Sequence, residues 1–216
     1  MPKQLGNLAW IYGIQVESTV IAPGGASLSK TKERAIEAMQ NEHFDYAVFQ
    51  DYGTRPSLGN AEFMQDIRML CVAAKASGAA AVLYNPAWAH IDGEPDTDRQ
   101  RQYTEAYAAA AKENGALLVN AGDAWVYAYR KLDGLSLYQS NDYHATTEGA
   151  YLTACVFAST LLDLHIKDVD TDNLYCGKNA LPLGLAAWEF VSYYKANEKA
   201  PDGTADAVPG TNQRIN

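Results

Sequence analysis

The chain has 216 residues, of which 48% are hydrophobic and 20% charged, so it is long enough for one domain with a sizeable core and too apolar to be disordered. Its formal net charge of −9 comes without any cluster of Lys and Arg, which argues against nucleic acid and anionic membrane surfaces as partners. No uninterrupted apolar run reaches the roughly 18 residues of a membrane span.

Helical and strand patterns alternate along the chain. Apolar residues at helical spacing predict helices, and short apolar or alternating runs rich in β-branched and aromatic residues predict strands. Segments such as "PGGAS" and "NPAWAHIDGEPDT" are rich in loop-forming residues and separate these elements. In chain order, the prediction is helix 2–13, strand 14–22, helix 28–40, strand 44–50, helix 60–77, strand 79–84, helix 98–113, strand 116–122, and helices 123–131, 146–163 and 181–196.

Strands that alternate with helices predict an α/β fold with a parallel sheet and right-handed crossovers. The runs 44–50, 79–84 and 116–122 are nearly all apolar, so we expect them to be buried on both faces of the sheet. We expect a single domain over residues 1–196. The polar segment 197–216 is expected to be a mobile tail.

The candidate site residues lie in the loops that follow the strands, because ligands of such folds bind beyond the carboxyl ends of the strands. Gly24 and Gly25 leave room for backbone N–H groups to approach a ligand, as an oxyanion hole requires, although an ordinary turn is the simpler interpretation. Gln50 and Asp51 directly follow an apolar strand and are expected at the edge of the sheet. The alternative for these two is a cap on the next segment.

The next loop along the chain contributes Asn85 and Trp88. Asn85 directly follows an apolar strand, which places it at the same predicted edge. Trp88 either packs beneath its loop or stacks on the face of a sugar. The sequence leaves both interpretations open.

The stretch "NDYHATTEG" places His144 just before an apolar helix. One interpretation is a helix start that is capped by Thr146 or Asp142, with the histidine merely nearby. The other is the general base of a hydrolytic site. Such a base needs a partner that fixes its tautomer and stabilises its imidazolium form, and Asp142 and Asn141 are the local candidates.

Several stretches resemble blocks of the SGNH (GDSL-like) hydrolases. "GGASL" resembles the second block, "FDYAVFQDYGTRP" the third, and "AVLYNPAWA" the fourth strand with its loop. "NDYHATTEGAYLTACVF" resembles the last block and is the most specific piece, because the order of residues and the following helix both match. The resemblance covers roughly residues 2–163.

This resemblance implies a three-layer α/β/α fold and hydrolysis of esters by a serine nucleophile, with a histidine base that an aspartate orients. Carried onto this sequence, it makes His144 the base and Gly24 or Gly25 the donor of an oxyanion N–H group. Gln50 becomes the oxyanion amide. The implied substrate is a small-molecule ester or an ester on a carbohydrate, such as an acetyl group.

The acidic partner departs from the family pattern. The family aspartate stands three residues before the histidine, where this chain has Asn141, and Asp142 is one residue closer. Asparagine accepts a hydrogen bond but cannot stabilise an imidazolium by charge. Either Asp142 takes the role in a shifted turn, or the base is weakened.

The nucleophile block is a second departure. The family begins with an apolar strand that leads into Gly-Asp-Ser or Gly-Asn-Ser and a helix, whereas "MPKQLGNLAWIYGI" resembles that helix itself. We therefore expect a truncated form that lacks a central strand between strands 14–22 and 44–50, or an oligomer in which another chain supplies it. No serine here has the strand–turn–helix setting of a nucleophile; those considered are Ser18, Ser27, Ser29 and Ser57, of which Ser27 is the least unfavourable.

The competing interpretation is a non-catalytic carbohydrate- or ligand-binding protein that keeps the same fold and pocket. A nucleotide-binding protein is disfavoured because no loop carries G-x-x-x-x-G-K or G-x-G-x-x-G. No metal or cofactor is predicted, since the four histidines form no i,i+4 pair and the three cysteines fit no zinc motif. Cys71 and Cys155 are expected to be packed thiols. Localisation is left open: the chain shows no signal peptide, but members of the resembled family are often exported.

Overall fold

A computed structural model of the chain describes residues 1–140, 142–166 and 176–201. The helices are α1 Pro2–Ile11, α2 Leu28–Asn41, α3 Ala61–Ser77, α4 Thr97–Asn114, α5 Ala121–Lys131, α6 Thr147–Leu161 and α7 Ala180–Asn197, with a short 3-10 turn at Gly177–Asn179. The strands are β1 Tyr46–Phe49, β2 Ala80–Asn85, β3 His90–Ile91, β4 Glu94–Pro95 and β5 Leu117–Asn120. Each predicted helix is therefore confirmed, with ends that differ by a few residues. Most of the predicted tail, from residue 202 onward, lies outside the described residues.

The main sheet consists of three parallel strands in the order β1-β2-β5 within the described part of the chain. Phe49 pairs with Leu83, and Asn85 pairs with Asn120 at the carboxyl ends of their strands. The predicted α/β architecture with a parallel sheet is thus confirmed. The register also places Asn85 and Asn120 side by side at the edge where the sequence predicted a site.

The chain divides into two compact units, each of which is discontinuous in sequence. One unit contains Thr19–Trp88 and Asp98–Asn120, and therefore the main sheet. The other contains Met1–Ser18, Ala89–Thr97 and the described part of Ala121–Asn216. A single domain over residues 1–196 stays a prediction.

In the sheet unit, helices α2, α3 and α4 cover one face of the sheet. Phe63 and Ile67 of α3 are fully buried, and Phe49 of β1 belongs to the same apolar core. The alternate side chains of β1 do not: Tyr46 is 37% and Val48 42% exposed. Burial of this strand on both faces was therefore a wrong prediction, because successive side chains point to opposite faces and those of Ala47 and Phe49 alone reach the apolar core.

In the helical unit, α6 packs against α1, α5 and α7. Leu152, Cys155 and Phe157 lie on different sides of α6 and are all buried, which is expected of a helix that is apolar all round. Cys71 in the other unit is also buried, so both predicted packed thiols are confirmed. None of the helices in the described ranges combines the length and the apolar character that crossing a bilayer requires.

The predicted strand over residues 14–22 is wrong. The structure assigns no strand to these residues, although their side chains alternate between apolar and polar. Val20 in this segment is 63% exposed. Alternation alone does not form a strand, because a strand also requires a neighbour to complete its hydrogen-bond ladder.

A short hairpin of β3 and β4 interrupts the predicted loop over residues 85–97. His90 pairs with Pro95, and Ile91 pairs with Glu94 across the turn. The turn residues have φ values of 52° at Asp92 and 85° at Gly93, as a two-residue Asp-Gly turn requires. The Asp-Gly pair in "HIDGEP" was the sequence signal for this hairpin.

Candidate functional site

The loop that carries His144 is closed by backbone hydrogen bonds. Tyr138 and Ala145 form an isolated antiparallel bridge. The N–H of Gln139 donates to the carbonyl of His144 at 2.9 Å. The N–H of Thr146 donates to the carbonyl of Leu137 at 2.9 Å. These bonds hold the two ends of the loop together, so the position of His144 follows from the fold of the loop itself.

Helix α6 begins immediately after this loop. The hydroxyl of Thr146 accepts the N–H of Gly149 at 3.2 Å, so Thr146 is the N-cap that the sequence allowed for. A Cβ on Gly149 would lie 2.4 Å from the carbonyl oxygen of Leu137 and 2.4 Å from the ring of Trp125. Glycine at this position therefore lets the helix start lie directly against the strand-like segment before the loop.

His144 and Asp142 form a hydrogen-bonded pair. The imidazole Nδ1 lies 2.7 Å from Oδ1 of Asp142, and the same oxygen accepts the backbone N–H of His144 at 3.3 Å. The bond to the His144 side chain lowers the pKa of the Asp142 carboxyl below its usual value. Both side chains reach solvent, with exposures of 69% for His144 and 43% for Asp142. The arrangement matches a base and its orienting carboxylate; Asn141, the other predicted partner, lies outside the described residues.

A series of rings leads from the core to this pair. Trp125 contacts Tyr138 with ring centroids 4.9 Å apart, Tyr138 contacts His90 at 4.7 Å, and His90 contacts Tyr143 at 4.7 Å. The hydroxyl of Tyr138 donates to the carbonyl of Ala89 at 3.1 Å. Trp125 and Tyr138 are buried while Tyr143 is exposed. The sequence analysis missed this series, and its only signal was the number of aromatic residues around the two loops.

The glycine loop lies in the sheet unit and forms a turn. The N–H of Ala26 donates to the carbonyl of Pro23 at 3.1 Å, and Gly25 has a φ of 68°, which favours glycine. A Cβ at Gly24 or Gly25 would have no atom within 4 Å. The predicted turn is therefore present. The space beside Gly24 and Gly25 is open to an incoming group.

Asp51 is fully buried and its carboxylate is surrounded by donors. Oδ1 accepts the N–H of Leu28 at 3.0 Å and the N–H of Tyr52 at 2.7 Å. Oδ2 accepts Nε of Arg55 at 3.0 Å. The half-buried side chain of Gln50 donates to the carbonyl of Asp51 at 3.4 Å. Asp51 therefore caps neighbouring backbone, while Gln50 keeps capacity to bind a further group.

Arg55 connects this carboxylate to a second one. Its guanidinium lies 3.4 Å from Oδ2 of Asp66 and 3.1 Å from the hydroxyl of Ser29. Lys32 also contacts Asp66, at 2.8 Å. The two buried carboxylates are thus matched by two cations. The sequence analysis did not single out Arg55, since an arginine six residues after a strand has no distinctive pattern.

Asn85 is fully buried at the end of β2. Its amide nitrogen donates to Thr104 at 2.9 Å and to Asn120 at 2.7 Å, and its oxygen accepts from Gln100 at 3.3 Å. Through these bonds the Asn85 amide connects the end of β2 with the end of β5 and with helix α4. Trp88, the other candidate of this loop, is half-buried.

The four serines considered as nucleophiles have different surroundings. Ser27 is buried at the N-cap of α2, where its side chain makes no capping hydrogen bond. Ser29 donates to Asp66 at 2.5 Å. Ser18 and Ser57 are exposed in irregular segments. The structure brings His144 together with Asp142, and the start of α2 together with Asp51.

Two solved structures resemble the chain. One is a candidate SGNH hydrolase from Slackia heliotrinireducens, with 28% identity, a TM-score of 0.61, and coverage of 74% of this chain and 90% of that chain. The other is a DUF4886 family protein from Bacteroides uniformis, with 17% identity, a TM-score of 0.61, and coverage of 89% of this chain and 90% of that chain. No family model and no curated protein matches the sequence. The likeness confirms the predicted three-layer α/β/α, SGNH-like fold.

Proposed function

We propose that the chain belongs to an SGNH-type ester hydrolase in which His144 is the general base and Asp142 orients it. The hydrogen bond of 2.7 Å between the two side chains is the observation that carries this proposal. With Asp142 hydrogen-bonded to Nδ1, Nε2 is the ring nitrogen that would take a proton from a nucleophile in the proposed reaction. The exposure of both side chains makes the pair accessible to a substrate.

The oxyanion donors of the proposed reaction are a backbone N–H of Gly24 or Gly25 and the amide of Gln50. An oxyanion hole requires donors that are held in place before the charge develops. The open turn at the two glycines and the partial burial of Gln50 support these assignments. Asn85 and Asp51 then act as internal supports, because their polar atoms bind protein groups.

The proposed substrate is a carboxylic ester, including acetyl groups on carbohydrate. Tyr143 supports the carbohydrate class, because its exposed ring lies next to His144 in the chain and offers a face on which a sugar can stack. The test is the release of acetate from an acetylated oligosaccharide compared with p-nitrophenyl acetate. If substitution of Tyr143 lowers the two hydrolysis rates equally, the ring has no specific role in sugar binding.

The nucleophile is tested by labelling the chain with a serine-directed fluorophosphonate and mapping the adduct by peptide mass spectrometry. His144→Ala should abolish the adduct, whereas His43→Ala, which alters an exposed histidine of the sheet unit, should leave it unchanged. An adduct at Ser27 would identify the nucleophile. The same experiment on a fusion that adds a Gly-Asp-Ser strand upstream tests the prediction that the serine belongs to a strand outside these residues.

If neither protein forms an adduct although both are shown to be folded, the proposed hydrolase function is wrong. The remaining function is then the non-catalytic carbohydrate- or ligand-binding protein on the same fold. Asn141 favours this alternative, since it stands where the resembled family has its aspartate. Binding of the acetylated oligosaccharide without turnover would support it.

A further inference from the structure

We infer that Asp51, held by Arg55, is the positioning residue for the oxyanion half of the site, an inference that rests on the proposed function. Asp51 joins the two segments that carry the proposed donors, because it contacts Leu28 at the start of α2 and directly follows Gln50 in the chain. One is the glycine turn before α2, and the other is Gln50 at the end of β1. The carboxylate of Asp51 contacts backbone on both sides.

The contact to α2 replaces a missing cap. The first N–H groups of a helix have no partner within the helix, and the side chain of Ser27 makes no capping hydrogen bond. Asp51 accepts the N–H of Leu28 at 3.0 Å and so takes the place of this cap. A carboxylate is also favoured at this end of the helix by the helix dipole. The start of α2, which follows the turn at Gly25, is therefore joined to the backbone after β1 by this side chain.

The contacts to β1 fix the backbone that follows Gln50. The N–H of Asp51 donates to the hydroxyl of Tyr107 at 3.0 Å, and Tyr107 is fully buried. The carboxylate accepts the N–H of Tyr52 at 2.7 Å. The backbone on the carboxyl side of Gln50 is thus held by a buried ring and by the same carboxylate that holds α2.

Arg55 makes this arrangement electrostatically possible. A fully buried carboxylate without a partner is strongly unfavourable, and it would also oppose an oxyanion forming nearby. Nε of Arg55 lies 3.0 Å from Asp51, and the guanidinium is itself held by Ser29 and Asp66. Arg55 therefore neutralises Asp51 without contacting the proposed donors.

The experiment compares Asp51→Ala, Asp51→Asn and Glu62→Gln by hydrolysis of p-nitrophenyl acetate. Glu62 is the matched control, because it also contacts Arg55, at 3.3 Å, but is an exposed residue outside the turn. Asp51→Ala should lower kcat roughly 10-fold to 100-fold with KM nearly unchanged, since loss of an oxyanion donor affects the transition state. Asp51→Asn, which keeps one acceptor oxygen, should recover part of kcat. Wild-type kcat in Asp51→Ala, or an equal loss in Glu62→Gln, would overturn the inference.

Amide hydrogen exchange separates this inference from the proposed function. Asp51→Ala should speed exchange of a peptide covering residues 23–29 about 10-fold or more, and Glu62→Gln should not. If the wild-type chain shows no esterase activity, the proposed function fails and the exchange result alone decides the positioning role. Asp51→Asn, which keeps one acceptor oxygen, should speed exchange less than Asp51→Ala does, and unchanged exchange in folded Asp51→Ala would overturn that role.

Discussion

Nδ1 of His144 lies 2.7 Å from Oδ1 of Asp142, in a loop whose ends are joined by backbone hydrogen bonds. If this pair is the base of the proposed hydrolase, Asp142→Asn should lower kcat with p-nitrophenyl acetate by roughly 10²-fold to 10⁴-fold, because the imidazolium loses its charged partner. Asp163→Asn is the control, since Asp163 is an exposed carboxylate that pairs with Lys195. Similar rates for the two variants would contradict the role of Asp142.

The same pair should be visible in the titration of Asp142. The hydrogen bond to His144 lowers the pKa of its carboxyl, so His144→Ala should raise that pKa toward the ordinary value of about 3.9. A lowered folded-state pKa contributes stability above the unfolded value, and that stability is lost as pH falls through the folded pKa. Carboxyl ¹³C NMR measures the shift, with His43→Ala as control. An unchanged pKa in His144→Ala would show that the bond does not persist in solution.

The order and type of the helices could be predicted from the sequence because each carries its own periodic or apolar signal. The run "AYLTACVFASTLL" is one example, since a largely apolar run of this length is typical of a buried helix and too long for an ordinary strand. Residues 14–22 carried an equally clear strand pattern but form no strand. The difference is that a helix satisfies its own backbone, whereas a strand depends on a neighbour that the local sequence does not contain.

For the site residues too, contacts between residues close in sequence could be predicted, whereas contacts between residues far apart in sequence could not. His144 and Asp142 are two residues apart, and their pairing follows from the turn that joins them. The partners of Asp51 come from α2, the following loop and α4, at separations that no local pattern reveals. For this reason the sequence named Asp51 as a site residue but did not identify Arg55 or Tyr107.

A hydrogen bond from Tyr138 holds the buried part of the ring series beside His144. Tyr138→Phe keeps the ring contacts but leaves the carbonyl of Ala89 without the hydroxyl that donates to it at 3.1 Å. The free energy of unfolding should fall by about 1 kcal/mol, measured by urea denaturation. Tyr52→Phe, at an exposed tyrosine, should change it by less than about 0.5 kcal/mol. Equal effects would mean that the bond from Tyr138 adds nothing to stability.

Gly149, in the first turn of α6, lies directly against Leu137 at the start of the loop that carries His144. In Gly149→Ala, the new Cβ would lie 2.4 Å from the carbonyl oxygen of Leu137 and 2.4 Å from the ring of Trp125. The carbonyl belongs to backbone that also accepts the N–H of Thr146, so it cannot move without opening the loop. We expect a loss of about 1–3 kcal/mol in the free energy of unfolding, as in other overpacked sites.

Gly59→Ala is the matched control for this prediction, because a Cβ there would have no atom within 4 Å and its φ is not in the left-handed region. Its stability should stay within about 0.5 kcal/mol of wild type in the same urea denaturation. Gly149→Ala should also reduce the proposed esterase rate, since movement of the carbonyl of Leu137 displaces the loop that holds His144. A variant as stable as Gly59→Ala would show that the contact between the loop and the helix is looser than the structure places it.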